Sequence, residues 1–520
     1  MKTTAEAVRA PALPPGLRRY LYLTAAVTGG AIMIVEILGA KLLAPYVGTS
    51  HFVWTAQIAV TLIALATGYA LGGWLVDRSP RLTWIYGAIL AAALYLCGAV
   101  LASEPAAFAC LRFRLAIGSL LAAALLFFVP LSLLAMVCPF FVRVLTVSVA
   151  NVGSNVGRLS SVSTAGSVAG TVLIGYIVIP YLPNTLTMFL TAGLLMAVSL
   201  VYFLVWERRH AAPALTAALF GAIVGSLGAL RPVLHDVEQS TELFRGNSNF
   251  GMLQVIQSKD GARRYYLNDL LTQNTYDPAS HQSISLFTYM LHDLALAYTP
   301  EVKDVLCVGV GVGIVPSRFA REGMRVDAVE INPAVVPLAA RFFDFKPEQL
   351  NLTIGDGRQF LNQGDRRYDA IVVDAFLGES PPSHLMTREA FRAMQKRLRA
   401  HGALVMNTFG DFTAGKDFFC ASIEKTLKSV FKSVRIHAAG NGNVFFVASD
   451  EPDLRLLREP DYDVMPGMVR GLARAAIDGL MQTNPEHGIV LTDNYNPVDF
   501  YDAPNREDLR VRLAASYRPD

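Results

Sequence analysis

Glu330, Asp356 and Asp374 each stand at the end of a short apolar run, in "RVDAVEIN" (325–332), "LTIGDGRQFL" (352–361) and "YDAIVVDAFLGESPP" (368–382). Upstream, "VLCVGVGVGIVPSRF" (305–319) places Gly309, Gly311 and Gly313 between an apolar run and a helical pattern. Glycines in that position allow a sharp turn and close approach of backbone to a ligand. An acidic residue about 20 positions after the first glycine suits a ribose diol, whose two hydroxyls need an acceptor; Glu330 has that spacing. The glycine pattern alone is a weak signal, and a tight turn is its plain alternative. With a strand before, a helix after and Glu330 in place, it predicts a nucleoside site. Asp356 lies in a Gly-Asp-Gly turn with Gly357, where a helix N-cap is the plain alternative. Asp374 would present a carboxylate beside whatever the nucleoside carries. Three carboxylates on one rim are hard to explain as surface decoration.

Such a rim needs a doubly wound parallel sheet, in which ligands bind outside the carboxyl ends of the strands. The apolar runs at 305–308, 325–330, 352–354 and 368–373, with "GALVMNTFG" (402–410), supply its strands, and helical patterns fall between them. Before the sheet, "GMLQVIQSKDGARRYYLNDLLTQ" (251–273) alternates in strand fashion about an Asp-Gly turn. It predicts a small β-hairpin module over 235–280. A helix over about 281–298, with Phe287, Met290, Leu291, Leu294 and Leu296 as its apolar face, follows and opens the main domain, 281–520.

The first half differs in kind. The chain is 53% hydrophobic and 17% charged, and the shortage of charge is confined to about Tyr20–Leu230. A bilayer crossing needs roughly 20 apolar residues. Seven segments qualify, at about 20–46, 53–76, 82–102, 115–142, 158–182, 185–206 and 212–230, predicting a polytopic α-helical membrane bundle over 20–232 behind a 1–19 tail. The first segment is too long for a signal peptide, and no small-residue cleavage site in it is followed by a soluble region. Ten Lys and Arg flank one side of these spans, among them Arg18, Arg19, Arg78, Arg81, Arg208 and Arg209, against four on the other. The N-terminus is therefore expected in the cytoplasm. Seven crossings then put the C-terminal domain outside, which conflicts with use of a cytosolic metabolite, so its side is left open. Glu36 lies inside the first span and must find a donor; a substrate or proton path and a structural hydrogen bond to a neighbouring helix are the two readings. The Gly/Ser/Ala-rich stretch 152–176 predicts close helix packing. No internal repeat of the transporter kind is visible.

A net charge of +3 makes no electrostatic case for nucleic acid. Cys97, Cys110, Cys138, Cys307 and Cys420 have neither metal nor redox spacing.

The order "YYLNDLLTQ", "VGVGVG", "VEIN", "GDGRQFL", "YDAIVVDAF" resembles the spermidine synthase family of aminopropyltransferases over roughly 250–450. The whole chain resembles bacterial transmembrane proteins of that kind, which implies a multi-pass protein of the bacterial inner membrane. The resemblance implies a small β-domain followed by a Rossmann-like, methyltransferase-type domain. It implies decarboxylated S-adenosylmethionine as donor, an amine as acceptor and methylthioadenosine as coproduct, with no metal or other cofactor. Membrane lipid joins the sulfonium nucleoside and the small amine as expected partners, and a homodimer is left open. Carried over, Glu330 would accept from the ribose and Asp356 from the adenine amino group. Gly309, Gly311, Gly313 and Gly357 would shape the nucleoside pocket, with Gln273 close to the donor and Asp374 catalytic. A sulfonium leaves readily, so no acid is needed; the protonated amine has no lone pair, and a carboxylate beside it can take that proton and aim the nitrogen.

The departures fall on the amine side. Val312 stands where the family has the aspartate that holds the donor's ammonium, and Leu377 where it has the one that binds the diamine. The family's tyrosine on the preceding helix is missing; Phe287 takes its place, with His281 and Tyr289 nearby. Tyr289, Leu377, His384 and Asp493, the last in "LTDNYNPVDF" (491–500), are candidates for the acceptor pocket. For His384 a solvent-facing loop position is the alternative, and for Asp493 a turn cap. Val312 would also tolerate the carboxylate of intact S-adenosylmethionine, so a lyase or cyclase and a methyltransferase stay open beside aminopropyl transfer. A non-catalytic nucleoside-binding sensor or transporter is a further reading, but it would have no need of Asp374.

Overall fold

The computed structural model describes residues 13–48, 51–146, 152–179, 181–234, 240–376, 381–438, 440, 442–503, 505–506 and 508. The chain divides into two compact units, Met1–His235 and Asp236–Asp520.

The first unit is helical. Among the described residues, seven helices are long and apolar enough to cross a membrane: Pro15–Val47, His51–Arg78, Leu82–Cys110, Leu115–Leu145, Val152–Val178, Asn184–Val205 and Arg208–Ala229. The fifth begins six residues earlier than the hydropathy pattern predicts. Asn155 explains this: it is buried and gives its amide to the Leu145 carbonyl at 3.1 Å, so a polar residue is absorbed within the bundle. The small-residue stretch packs as expected against the first helix. A Cβ on Gly166 would lie 2.0 Å from the Ala26 carbonyl oxygen, a contact that admits hydrogen alone. Ser167 adds a hydroxyl bond to the Gly29 carbonyl at 3.0 Å.

The second unit holds two sheets. The hairpin expected near 251–273 is the centre of a five-stranded antiparallel sheet, β1 (Ser240–Ser248), β2 (Gly251–Ser258), β3 (Arg264–Asn268), β4 (Leu271–Asp277) and β5 (Gln282–Ser283), in that order. The β2–β3 turn closes through Gly261, whose N–H bonds the Ser258 carbonyl at 2.9 Å. β5 occupies the start of the expected helix, which runs instead over Leu286–Tyr298.

The larger sheet contains β6 (Asp304–Val308), β7 (Arg325–Glu330), β8 (Asn351–Ile354), β9 (Tyr368–Val373), β10 (Leu398–Phe409), β11 (Ser433–Ala438) and β12 (Asn443–Ser449). Its order is β11-β12-β10-β9-β6-β7-β8. β6 through β10 are parallel, while β12 runs antiparallel to both β10 and β11. This is the doubly wound sheet of the methyltransferase type, with one reversed strand, β12, set between β10 and the edge strand β11. The strand order turns between β6 and β9, where a crevice opens at the carboxyl ends. The central strands β6, β7 and β9 are mostly apolar because both their faces are covered. Val305 and Cys307 point into one core with Met290 and Phe319; Leu306 and Val308 point into the other with Phe391 and Phe446. Burying such a side chain contributes about 1.5–3 kcal/mol, which fixes β6 and thus the turn that follows it. The opposite ends of the strands are tied by charge: Asp304 meets Arg325, Arg366 and Arg399 at 2.7–2.8 Å. Burial alone would raise the Asp304 carboxyl; the three guanidinium groups outweigh it and hold the group well below the usual carboxylate range.

Candidate active site

Beyond β6 the chain must turn sharply to start the Ile314–Arg321 helix, and the glycines allow it. Gly309 has φ +90°, and a Cβ there would sit 2.2 Å from the Asp374 carbonyl oxygen. Gly313 caps the helix at φ +80°, with the Phe345 ring 2.1 Å from where a Cβ would be. Bare backbone thus lets the turn lie directly against the end of β9.

A cavity of about 420 Å3 opens over this turn, within the range of small-molecule sites. Gln273, Gly309, Gly311, Glu330, Asp356, Gly357, Asp374 and His384 line it, and so does Val312. Gly313 does not; it shapes the turn from behind. The structure brings the three rim carboxylates into this one cavity, each fixed differently.

Glu330 is buried at the end of β7. One carboxylate oxygen accepts the N–H groups of Val310 and Gly311 at 3.0 and 3.3 Å, and the other accepts the Asn332 N–H at 2.8 Å. The turn therefore holds its acidic residue in place, with lone pairs left for a diol. Asp356 caps the Gly357–Gln363 helix, accepting the Gln359 N–H at 2.8 Å. Its second oxygen lies 2.9 Å from His384 Nε2. The N-cap is real, and it leaves the residue in the cavity wall. His384 therefore shares the cavity wall with Asp356.

Asp374 directly follows β9, its N–H given to the Val308 carbonyl at 2.9 Å. Its carboxylate accepts from Asn407 Nδ2 at 2.9 Å, and Asn407 Oδ1 accepts in turn from Asn443 Nδ2 at 3.0 Å. This amide chain, from β10 and β12, escapes a sequence reading; a lone asparagine in the apolar run "LVMNTF" was its signal. Burial raises the Asp374 carboxyl, the Asn407 bond opposes it and the Glu330 charge adds to it, leaving the group at about 6. It is ionised at neutral pH and basic enough to hold a proton.

Three acceptor-pocket candidates need correction or lie out of view. Tyr289 is buried in the core, its hydroxyl given to the Ser283 carbonyl at 2.8 Å and its ring beneath Arg318, and it does not line the cavity; Phe287, two positions earlier and so on another helix face, does. Asp493 does not line it either: Arg358 at 2.9 Å and Thr387 at 2.6 Å hold its carboxylate, clamping the "LTD" segment to the cap of the Arg388–Arg397 helix. Leu377 lies outside the described residues. In their place, Phe376 and Phe409, whose rings pair at 5.3 Å, line the cavity beyond Asp374, and Met468, Val469 and Leu472 reach it from the Gly467–Asp478 helix. No lysine or arginine appears in the described lining. Among the described residues Glu330 and Asp374 have no cationic partner, in contrast to the arginine-bound Asp304 at the other end of the sheet. No cluster of His, Cys, Asp and Glu among the described residues has the makings of a metal site.

Residues 285–440 match the family described as the spermine/spermidine synthase domain. The chain is 38% identical over 130 residues to a polyamine aminopropyltransferase of Vibrio vulnificus, 24% of this chain and 44% of that protein. It is 28% identical over 207 residues to a spermidine synthase of Solanum lycopersicum, 38% of this chain and 58% of that one. The chain thus spans about half the length of these relatives. A crystal structure of spermidine synthase from Thermotoga maritima aligns with 45% of this chain and 87% of its own at 17% identity, with a TM-score of 0.36.

Proposed function

We propose that the C-terminal unit is an aminopropyltransferase that moves the alkyl arm of a sulfonium nucleoside to an amine and releases methylthioadenosine. The observation that carries this reading is the carboxylate rim without cations. A sulfonium and an ammonium would supply the charges that Glu330 and Asp374 lack, and the spermidine synthase domain match supports the same chemistry. Decarboxylated S-adenosylmethionine fits better than the intact donor, whose carboxylate would enter a cavity with three carboxylates and no lysine or arginine in its described lining.

In the proposed reaction the nucleoside lies over the glycine turn, with its ribose on Glu330 and its base toward Asp356 and His384. Asp374 accepts a hydrogen bond from the incoming ammonium and takes its proton. The freed nitrogen pair attacks the carbon next to sulfur, the carbon–sulfur bond breaks, and its electrons stay on sulfur as a neutral thioether. Asn407 keeps the Asp374 carboxylate aimed and more acidic than burial alone would leave it. The seven apolar helices of the N-terminal unit would hold the enzyme in a membrane.

One observation favours a second reading. Val312, buried in the cavity wall, offers no charge to the donor's ammonium, so cleavage of intact S-adenosylmethionine by a lyase or methyl transfer is the competing chemistry. Incubating purified full-length protein with each donor, with and without a panel of amines, and identifying both products by mass spectrometry decides between them. An amine adduct matched one for one by methylthioadenosine supports transfer; methylthioadenosine without adduct refutes it.

A further inference from the structure

Among the described polar side chains that the helical unit leaves without a partner, beside the Tyr22 and Ser132 hydroxyls, are Glu36 and Gln57. Glu36, half-buried in the Pro15–Val47 helix, makes no hydrogen bond or ion pair among the described residues, so of the two readings of it the structural bond to a neighbouring helix is not seen there. Gln57, in the next helix, is fully buried, and neither its Nε2 nor its Oε1 has a partner. The two are close. Gln57 lays its terminal amide against the bare backbone of Gly39, with Nε2 2.8 Å and Oε1 3.0 Å from where a Cβ would stand. Gly39 is three positions beyond Glu36, so both lie on one helix face within about a turn. Nearby hydroxyls are spent locally: Thr61 bonds the Gln57 carbonyl at 2.9 Å, and Thr28 bonds Thr24.

A carboxylate and a carboxamide left without partners in an apolar bundle are costly together, and one ligand that answers both would remove that cost. The ligand must bring N–H or O–H donors and positive charge. Ca2+ or Mg2+ would demand six or more oxygen ligands, many more than two side chains offer. A primary ammonium has three donors, enough to answer both the Glu36 carboxylate and Gln57 Oε1, and its alkyl chain suits apolar surroundings. We propose that Glu36 and Gln57 form a binding site for a protonated amine inside the helical unit. The proposal rests on these residues and stands whether or not the C-terminal unit transfers an aminopropyl group.

The test uses full-length protein in lipid nanodiscs with radiolabelled putrescine, in an Asp374→Asn background that weakens amine capture by the other cavity. Saturable binding is expected, weakened at least about tenfold by Glu36→Gln, several-fold by Gln57→Leu, and largely restored by Glu36→Asp. Binding indifferent to Glu36→Gln overturns the proposal, as does the absence of saturable binding at millimolar putrescine. Displacement by sodium but not by butylamine would also overturn it, marking a metal-ion site. Should the Glu36→Gln protein fail to elute as a single species, Gln57→Leu decides: unchanged affinity in that variant refutes the amine site.

Discussion

Replacing Asn407 by leucine should slow the reaction in a way that depends on pH, because Asn407 acts on Asp374 and not on the substrate. Its Nδ2 donates to the Asp374 carboxylate at 2.9 Å and lowers a carboxyl that burial has raised, leaving it at about 6. A hydrogen bond to a charged group contributes about 1.5–3 kcal/mol, and one pKa unit corresponds to about 1.4 kcal/mol. Losing the bond should therefore raise Asp374 by ~1–2 units. The base works ionised, so the sign is fixed: the variant loses most activity where wild type is still ionised and the variant is not. For a shift of ~1.5 units, the ratio of wild-type to variant kcat/KM should be ~15 at pH 6, ~4 at pH 7 and near one above pH 9. Taking the ratio cancels titration of the amine itself, and kcat/KM reports the free enzyme. Methylthioadenosine release, followed by chromatography across this range, is the assay. A ratio that stays constant with pH would refute the argument, showing that Asn407 matters for shape and not for the charge of Asp374.

Val312→Asp places a carboxylate in the cavity wall; it should raise the preference for the decarboxylated over the intact donor by about 10–100-fold in kcat/KM and lower the melting temperature, since the position is buried. Asp374→Asn should stabilise the fold at neutral pH. The folded carboxyl titrates at about 6, above its ordinary 3.8, so wild type loses stability as pH rises through that window; the two proteins should melt alike below about pH 4 and diverge above it. Asp493→Ala breaks the clamp on Arg358 and Thr387; it should cost about 1–2 kcal/mol in denaturant unfolding and change methylthioadenosine affinity less than about twofold.

What could be read from the sequence was local. The glycine turn, Glu330 and Asp374 are set by a strand, a turn and the next strand end, and each lies in the cavity wall or shapes it. The seven helices follow from run length alone. What was not legible depends on pairings distant in sequence. The amide chain behind Asp374 needs β10 beside an antiparallel β12, and neither that reversal nor the five-stranded extent of the small sheet has a local mark. Met468 and Leu472 come from a helix more than ninety positions after Asp374. A two-residue step on a helix turns the side chain by about 200°, which puts Phe287 at the cavity and Tyr289 in the core. The partners that hold Asp493, Arg358 and Thr387, lie more than a hundred positions upstream and leave no local mark.

In the proposed transfer, Asp374 is the base that frees the attacking amine. The direct measurement is single-turnover formation of methylthioadenosine from decarboxylated S-adenosylmethionine and an amine by the Asp374→Asn protein, beside its affinity for methylthioadenosine. Loss of the rate by about 10²–10⁴-fold, with nucleoside affinity kept within about threefold, is predicted. An Asn variant that turns over at the wild-type rate would contradict the mechanism.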